Sequence, residues 1–221
     1  MLSPERMEVL QIQWVRLLDR GGVSPADAYP VFDHLVAAYA EPWRYYHTLE
    51  HIAETLKVLT KLLDQAEDAF AIMLACWFHD AVYDAQKHDN EAQSAELAMA
   101  LLRPIGVAEV HLQRIDALIR ATAHFDEAAI VGDAVLLVDA DLAILGSAEV
   151  RYQRYANDIR REYAHVPDAD YQQGRLRVLR NFLAQPQIYH TERMFAVGEE
   201  PARANLQAEI ARLVDPQLLS D

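Results

Sequence analysis

The chain has 221 residues, 52% of them hydrophobic and 24% charged, with only 7 glycines and 9 prolines, the balance of a folded protein with little low-complexity sequence. Acids outnumber bases 34 to 20, for a formal charge of −14, which argues against nucleic-acid polymers and anionic membranes as partners, because both are held through Lys and Arg. The lone cysteine, Cys76, allows no intrachain disulfide, MLSPERMEVL lacks a secretion signal, and the longest apolar run, 69–78, is far shorter than the roughly 20 residues that cross a bilayer, so the cytoplasm is the expected compartment.

Helical signals recur along the chain and strand alternation is nearly absent, so an all-α, multi-helix bundle is expected. Ser3-Pro4 starts a first helix that Gly21 and Gly22 stop, and Ser24-Pro25 starts a second that ends before Pro42. A third takes in RYYHTLEHIAETLKVL, residues 44–59, with Leu49, Ile52, Leu56, Leu59 and Leu63 as its apolar stripe. A fourth, about 67–84, is apolar nearly all round yet contains His79 and Asp80.

Asn90, with Gln93 three residues on, reads as the N-cap of a fifth helix ending near Pro104 and Gly106, and a sixth runs from Val107 to His124. DAVLLVDADLAILG, 133–146, is a second apolar element carrying acids. Further helices are expected over 147–164, 168–184 and 200–214. No repeat or linker breaks the chain, so one domain, 1–221, is expected, with a motif core over about 44–146 and C-terminal helices over 147–214 packed on it.

Chemistry gathers at four points. His47 and His51, at i and i+4, share one helical face; alone, such a pair is more often a solvated or hydrogen-bonded face. CWFHDAVYD changes the weighing, because a carboxylate inside an apolar helix costs several kcal/mol unless paired or bound to a metal. Neighbouring residues diverge by about 100° around a helix, so His79 and Asp80 reach one ion only if it sits between them. Asp139 and Asp141 add carboxylates, and the resulting nitrogen and oxygen set suits Mn, Fe, Co, Ni, Zn or Mg rather than a thiolate zinc site.

The order His51, His79-Asp80, distant Asp resembles the H…HD…D signature of HD-superfamily metal-dependent phosphohydrolases. More narrowly, YYHTLEH, FHDAVYD, DNEAQSA, DADLAILG, REYAHVPD and ARANLQAEI resemble the bacterial predicted HD-phosphohydrolase family over about 44–210. The resemblance implies that His51, His79, Asp80 and Asp141 hold a divalent metal, with Asp139 as alternative ligand, and that Asp80 also serves catalysis. YHTLEH is similar to the YHNxxH motif of cyclic nucleotide phosphodiesterases, with Thr48 replacing Asn, which casts His47 as proton donor to the leaving group.

The implied reaction is hydrolysis of a phosphate ester, in a nucleotide or related small metabolite, by metal-activated water. Glu91 and His124 could assist, although each is also favourably placed for a helix dipole. Arg160, Arg161, Arg175 and Arg177 could supply phosphate-binding charge, with Arg161 and Arg175 carried forward as substrate contacts. Lys87 and His88 read as solvated, and Cys76 as a packed thiol. Homo-oligomerisation stays open.

Three other readings compete. A diiron HD-fold oxygenase would need further histidines, such as His88 or His124, as ligands. A non-catalytic, metal-stabilised helical binding module would need none of the chemistry. A parallel strand ending in the DxD of VLLVDAD lacks companion strands.

Overall fold

The computed structural model describes residues 2–123 and 130–215, and among them the chain is all-helical, with ten α-helices and no strand. It divides into two compact units, Met1–Ala140 and Asp141–Asp221. No helix of the described residues is long and apolar enough to cross a membrane.

In the first unit, α1 (Pro4–Arg20) and α2 (Pro25–Tyr39) begin as expected: the Ser3 and Ser24 hydroxyls accept from the N–H groups of Arg6 and Asp27. Both helices pack near α4 (Ala69–Phe78), whose Trp77 meets Trp14 edge-on at 5.4 Å and Phe32 at 6.0 Å. The Trp14 indole N–H donates to the Ala28 carbonyl at 2.8 Å, which lets the ring be fully buried.

Three of the boundaries that differ from expectation lie where a polar group bonds to backbone. Helix α3 spans Leu49–Leu59, capped by Thr48, so His47 precedes the helix instead of sharing its face with His51; Leu62, not Leu63, continues the buried stripe. Helix α4 ends at Phe78, so Asp80 lies in the turn after it, not within a helix. Helix α5 (Asn90–Leu102) is preceded by Asp89 as cap, because Asn90 is occupied elsewhere: it accepts from Asp84 N–H at 3.1 Å and donates to Asp84 O at 3.0 Å.

Helix α6 (Glu109–Ala121) packs along α4 and α5. Helix α7 (Asp133–Asp141) is fastened to the start of α4, since the Asp133 carboxylate accepts from the N–H groups of Glu67 and Asp68, both at 2.8 Å. The DxD segment is therefore helical.

The second unit contains α8 (Glu149–Glu162), α9 (Asp168–Ala184) and α10 (Glu192–Val214). Helix α10 starts well before the expected 200 and runs through Pro201, although an interior proline normally costs ~3 kcal/mol. Tertiary bonds support that stretch: the Glu199 carboxylate accepts from Ile188 and Tyr189 N–H, and Arg203 donates to it at 2.7 Å. A Cβ at Gly146 would stand 2.8 Å from the Gly198 carbonyl, so the short 3-10 turn Leu142–Gly146 approaches α10 closely only because Gly146 lacks a side chain; one at Gly198 would strike the Tyr189 ring instead.

Candidate metal centre

The turn after α4 is shaped by the way that helix ends. Its last carbonyls have no helical partner, and side chains take them: the His79 ring Nδ1 lies 2.9 Å from Cys76 O, and the Tyr39 hydroxyl donates to Trp77 O at 2.9 Å. Burial pushes the Tyr39 hydroxyl well above its ordinary pKa, with the Asp80 charge adding to the effect, so it remains a neutral donor.

A carbonyl can only accept, so His79 Nδ1 carries the proton, and the ring in its neutral form offers the Nε2 lone pair on its other side. That nitrogen lies 3.1 Å from His51 Nε2, in the first turn of α3, and 3.1 Å from Asp80 Oδ2; His51 Nε2 to Asp80 Oδ2 is 3.3 Å. His51 Nδ1 faces the Thr55 hydroxyl at 3.4 Å. A carboxylate oxygen of Asp141, at the end of α7, completes a group whose ligand atoms all lie within 4.8 Å of one another.

These distances fit a small cation. Bonds of about 2.0–2.2 Å to imidazole and carboxylate separate neighbouring ligand atoms by about 3.0 Å in an octahedron and about 3.4 Å in a tetrahedron. Two neutral imidazoles and two carboxylates carry charge −2, which a divalent ion balances. The cluster of His51, His79, Asp80 and Asp141 could therefore hold a metal ion. When protons rather than a metal occupy the site, burial raises the Asp80 carboxyl, yet the charges of His79 and His47 and hydrogen bonds from His51 and His79 outweigh it and hold the group well below the usual carboxylate range.

The turn is pinned from outside by Arg44, which the sequence reading missed. Its buried guanidinium donates to Asp80 O at 2.6 Å, Ala81 O at 3.0 Å and His47 O at 3.3 Å, and to the Glu41 carboxylate at 2.8 Å. One planar fork thus ties the His47 loop to the His79-Asp80 turn. The only signal was an arginine among aromatics in EPWRYYH, and its partners are carbonyls, which leave no trace in a residue pattern. On the far side, Ser94 of α5 accepts from Val82 N–H at 3.0 Å.

His47 sits beside the cluster without joining it: its ring stacks on Tyr83 at 4.0 Å and lies 6.0 Å from the His51 ring. Asp139 is fully buried on α7 but outside the cluster, since two residues of helix turn the side chain by about 200°. Glu91 is half-buried in the first turn of α5 and also outside it, while Lys87 and His88 lie exposed in the loop before. His124 falls outside the described residues.

In the second unit, Arg175 is buried and engaged with Glu209, whereas Arg161 is exposed and pairs with Asp158 at 3.2 Å. Cys76 is a buried thiol in no disulfide.

Compared with protein-family models, with curated proteins and with solved structures, the chain gives no match. The all-helical fold and the buried His/Asp cluster are compatible with an HD-type metal site and with a metal-dependent hydrolase.

Proposed function

We propose that the protein is a metal-dependent phosphohydrolase of HD type, acting on a phosphate ester of a nucleotide or related small metabolite. One observation carries the reading: two imidazole nitrogens and a carboxylate oxygen converge at 3.1–3.3 Å with Asp141 close by. A divalent ion bound there supplies water activation near neutral pH and charge neutralisation for phosphoryl oxygens.

The protein's own groups do the rest. Asp80 remains an anion, aimed by the backbone that Arg44 holds. His47, stacked on Tyr83 and next to the cluster, donates a proton to the departing oxygen. An ion in the site offsets, at the point of binding, the repulsion that a −14 chain exerts on an anionic substrate.

The test has two parts. Protein purified without chelator or metal-binding tag is assayed for bound metal, then against a panel of phosphomonoesters and phosphodiesters with the divalent ion restored. Near-stoichiometric metal and turnover are expected in wild type and absent in His79→Ala and Asp80→Ala, while His47→Ala keeps the metal and loses about 10²–10⁴ in rate. Turnover surviving in Asp80→Ala, or a metal-loaded wild type that hydrolyses no ester, overturns the reading.

A further inference from the structure

The first unit carries a groove of about 740 Å³ walled by α1, α3 with the residues that follow it, and α4. Its floor is apolar: Leu17, Leu56 and Trp77 are buried, and Phe70 and Met73 are half-buried beside them. Its exposed rim is cationic, with Arg16 and Arg20 from α1 on one side and Lys57 and Lys61 on the other. No carboxylate lines it, in a chain where acids outnumber bases 34 to 20.

Helix dipoles explain part of this pattern, because Arg20 and Lys57 lie in the last turns of their helices. They do not explain Arg16, one turn earlier, or Lys61, beyond the end of α3. Among the described residues, Arg16, Arg20 and Lys57 make no hydrogen bond or ion pair with the protein.

Arg16 and Arg20 stand four residues apart on α1, a separation of about 6 Å along its axis, and Lys57 and Lys61 are four residues apart in sequence across the end of α3. The groove therefore has two positive rails, the one on α1 repeating at one helical turn, over an apolar bed. A single-headed amphiphile such as a fatty carboxylate would engage one end of one rail. A helix with an apolar stripe flanked on both sides by Asp and Glu matches the bed and both rails together.

We propose that this groove docks an acidic amphipathic helix of another protein. Docking is carried by burial of the partner's apolar stripe on Leu17, Leu56, Phe70, Met73 and Trp77, and its orientation by carboxylates paired with Arg16, Arg20, Lys57 and Lys61. The metal cluster shares none of these residues, so the proposal stands independently of the enzymatic reading.

A library of displayed helical peptides, randomised in sequence and selected on the full chain, tests it. The selected peptides are expected to carry apolar residues at i, i+3, i+4 and i+7 flanked by Asp or Glu. They should bind the double variant Arg16→Glu/Lys57→Glu at least tenfold more weakly, and the charge-neutral pair Arg16→Gln/Lys57→Gln should show a smaller loss. Unchanged thermal midpoints verify that both variants fold. Selection without an acidic consensus, or peptides that bind the double variant equally well, overturns the proposal. So does charge-dependent binding of dodecanoate where no peptide binds, which would assign the groove to a single-headed amphiphile.

Discussion

In the second unit, the Arg175 guanidinium lies 2.8 and 3.1 Å from the two carboxylate oxygens of Glu209, which also accepts from the Tyr152 hydroxyl at 2.5 Å. In the cluster after α4, two imidazole nitrogens and a carboxylate oxygen stand almost as close, yet all three are atoms that need a shared cation, a proton or a metal, to sit together. In the first set a fork of N–H donors faces acceptors, and burial is offset within the protein: despite desolvation, its interactions with Tyr155 and Glu209 keep Arg175 firmly charged. In the second, the assembled groups repel one another until a cation, whether proton or metal, joins them. Similar burial thus has opposite meanings, and the difference lies in whether donors and acceptors are matched.

The largest effect should come from breaking the matched set. Arg175→Met leaves Glu209 buried and uncompensated, and should cost about 3–5 kcal/mol in denaturant unfolding, while Arg175→Met/Glu209→Met recovers most of that loss. Metal affinity should be unchanged in the single variant as long as it is folded; a large affinity loss would erase the distinction between the two clusters.

The unmatched set should respond to metal instead. A divalent ion at 100 times its Kd should stabilise wild type by about 2.7 kcal/mol, and His79→Ala by nothing, as read from thermal unfolding with and without chelator. Equal stabilisation of both would place the ion elsewhere.

Arg44→Lys sharpens the comparison at the cluster's support. An ammonium cannot span the carbonyls of His47, Asp80 and Ala81 as a planar fork does, so metal affinity should fall about 10–100-fold with the fold retained, measured by competition with a chromogenic chelator.

The smallest effect concerns Asp68, which caps α4 and accepts from the Ala71 N–H, His111 and Arg114 at 3.0, 2.6 and 3.2 Å. Burial raises its carboxyl, but these partners win and lower it below the ordinary carboxylate value. A depressed carboxylate contributes stability above its unfolded pKa and loses it as pH falls through the folded one. Asp68→Asn should therefore cost about 1 kcal/mol at neutral pH, with the gap to wild type closing below pH of about 4. A gap that persists in acid would remove the charge from the explanation.

Much of this was legible in the residues, for reasons that differ by element. Ser3-Pro4 and Ser24-Pro25 announce α1 and α2 because local capping chemistry decides both starts. His79, Asp80 and the pair Asp139 and Asp141 stood out because polar groups in apolar segments demand a partner, while the choice of His51 and of Asp141 over Asp139 rested on the resemblance to the H…HD…D signature. The end of α4 at Phe78 did not stand out, since the hydrophobic run continues through Ala81-Val82 and only the bonds from His79, Tyr39 and Arg44 to backbone carbonyls stop it. Similarly, the last helix read as starting at 200, next to Pro201, although tertiary bonds to Glu199 support a helix that begins at Glu192. Arg175 looked like a phosphate contact because nothing local ties it to Glu209, 34 residues away.

The hydrogen-bond partner of His79 also bears on which ion the site would select. Cys76 O is an uncharged acceptor, so it orients the imidazole without pushing it towards imidazolate, and the set remains two neutral nitrogens with two carboxylates. Such a mixed set follows the general Irving–Williams ranking of the divalent ions and adds little preference of its own. The occupant is then chosen by supply: the chain should load with whichever divalent ion its surroundings keep most freely exchangeable.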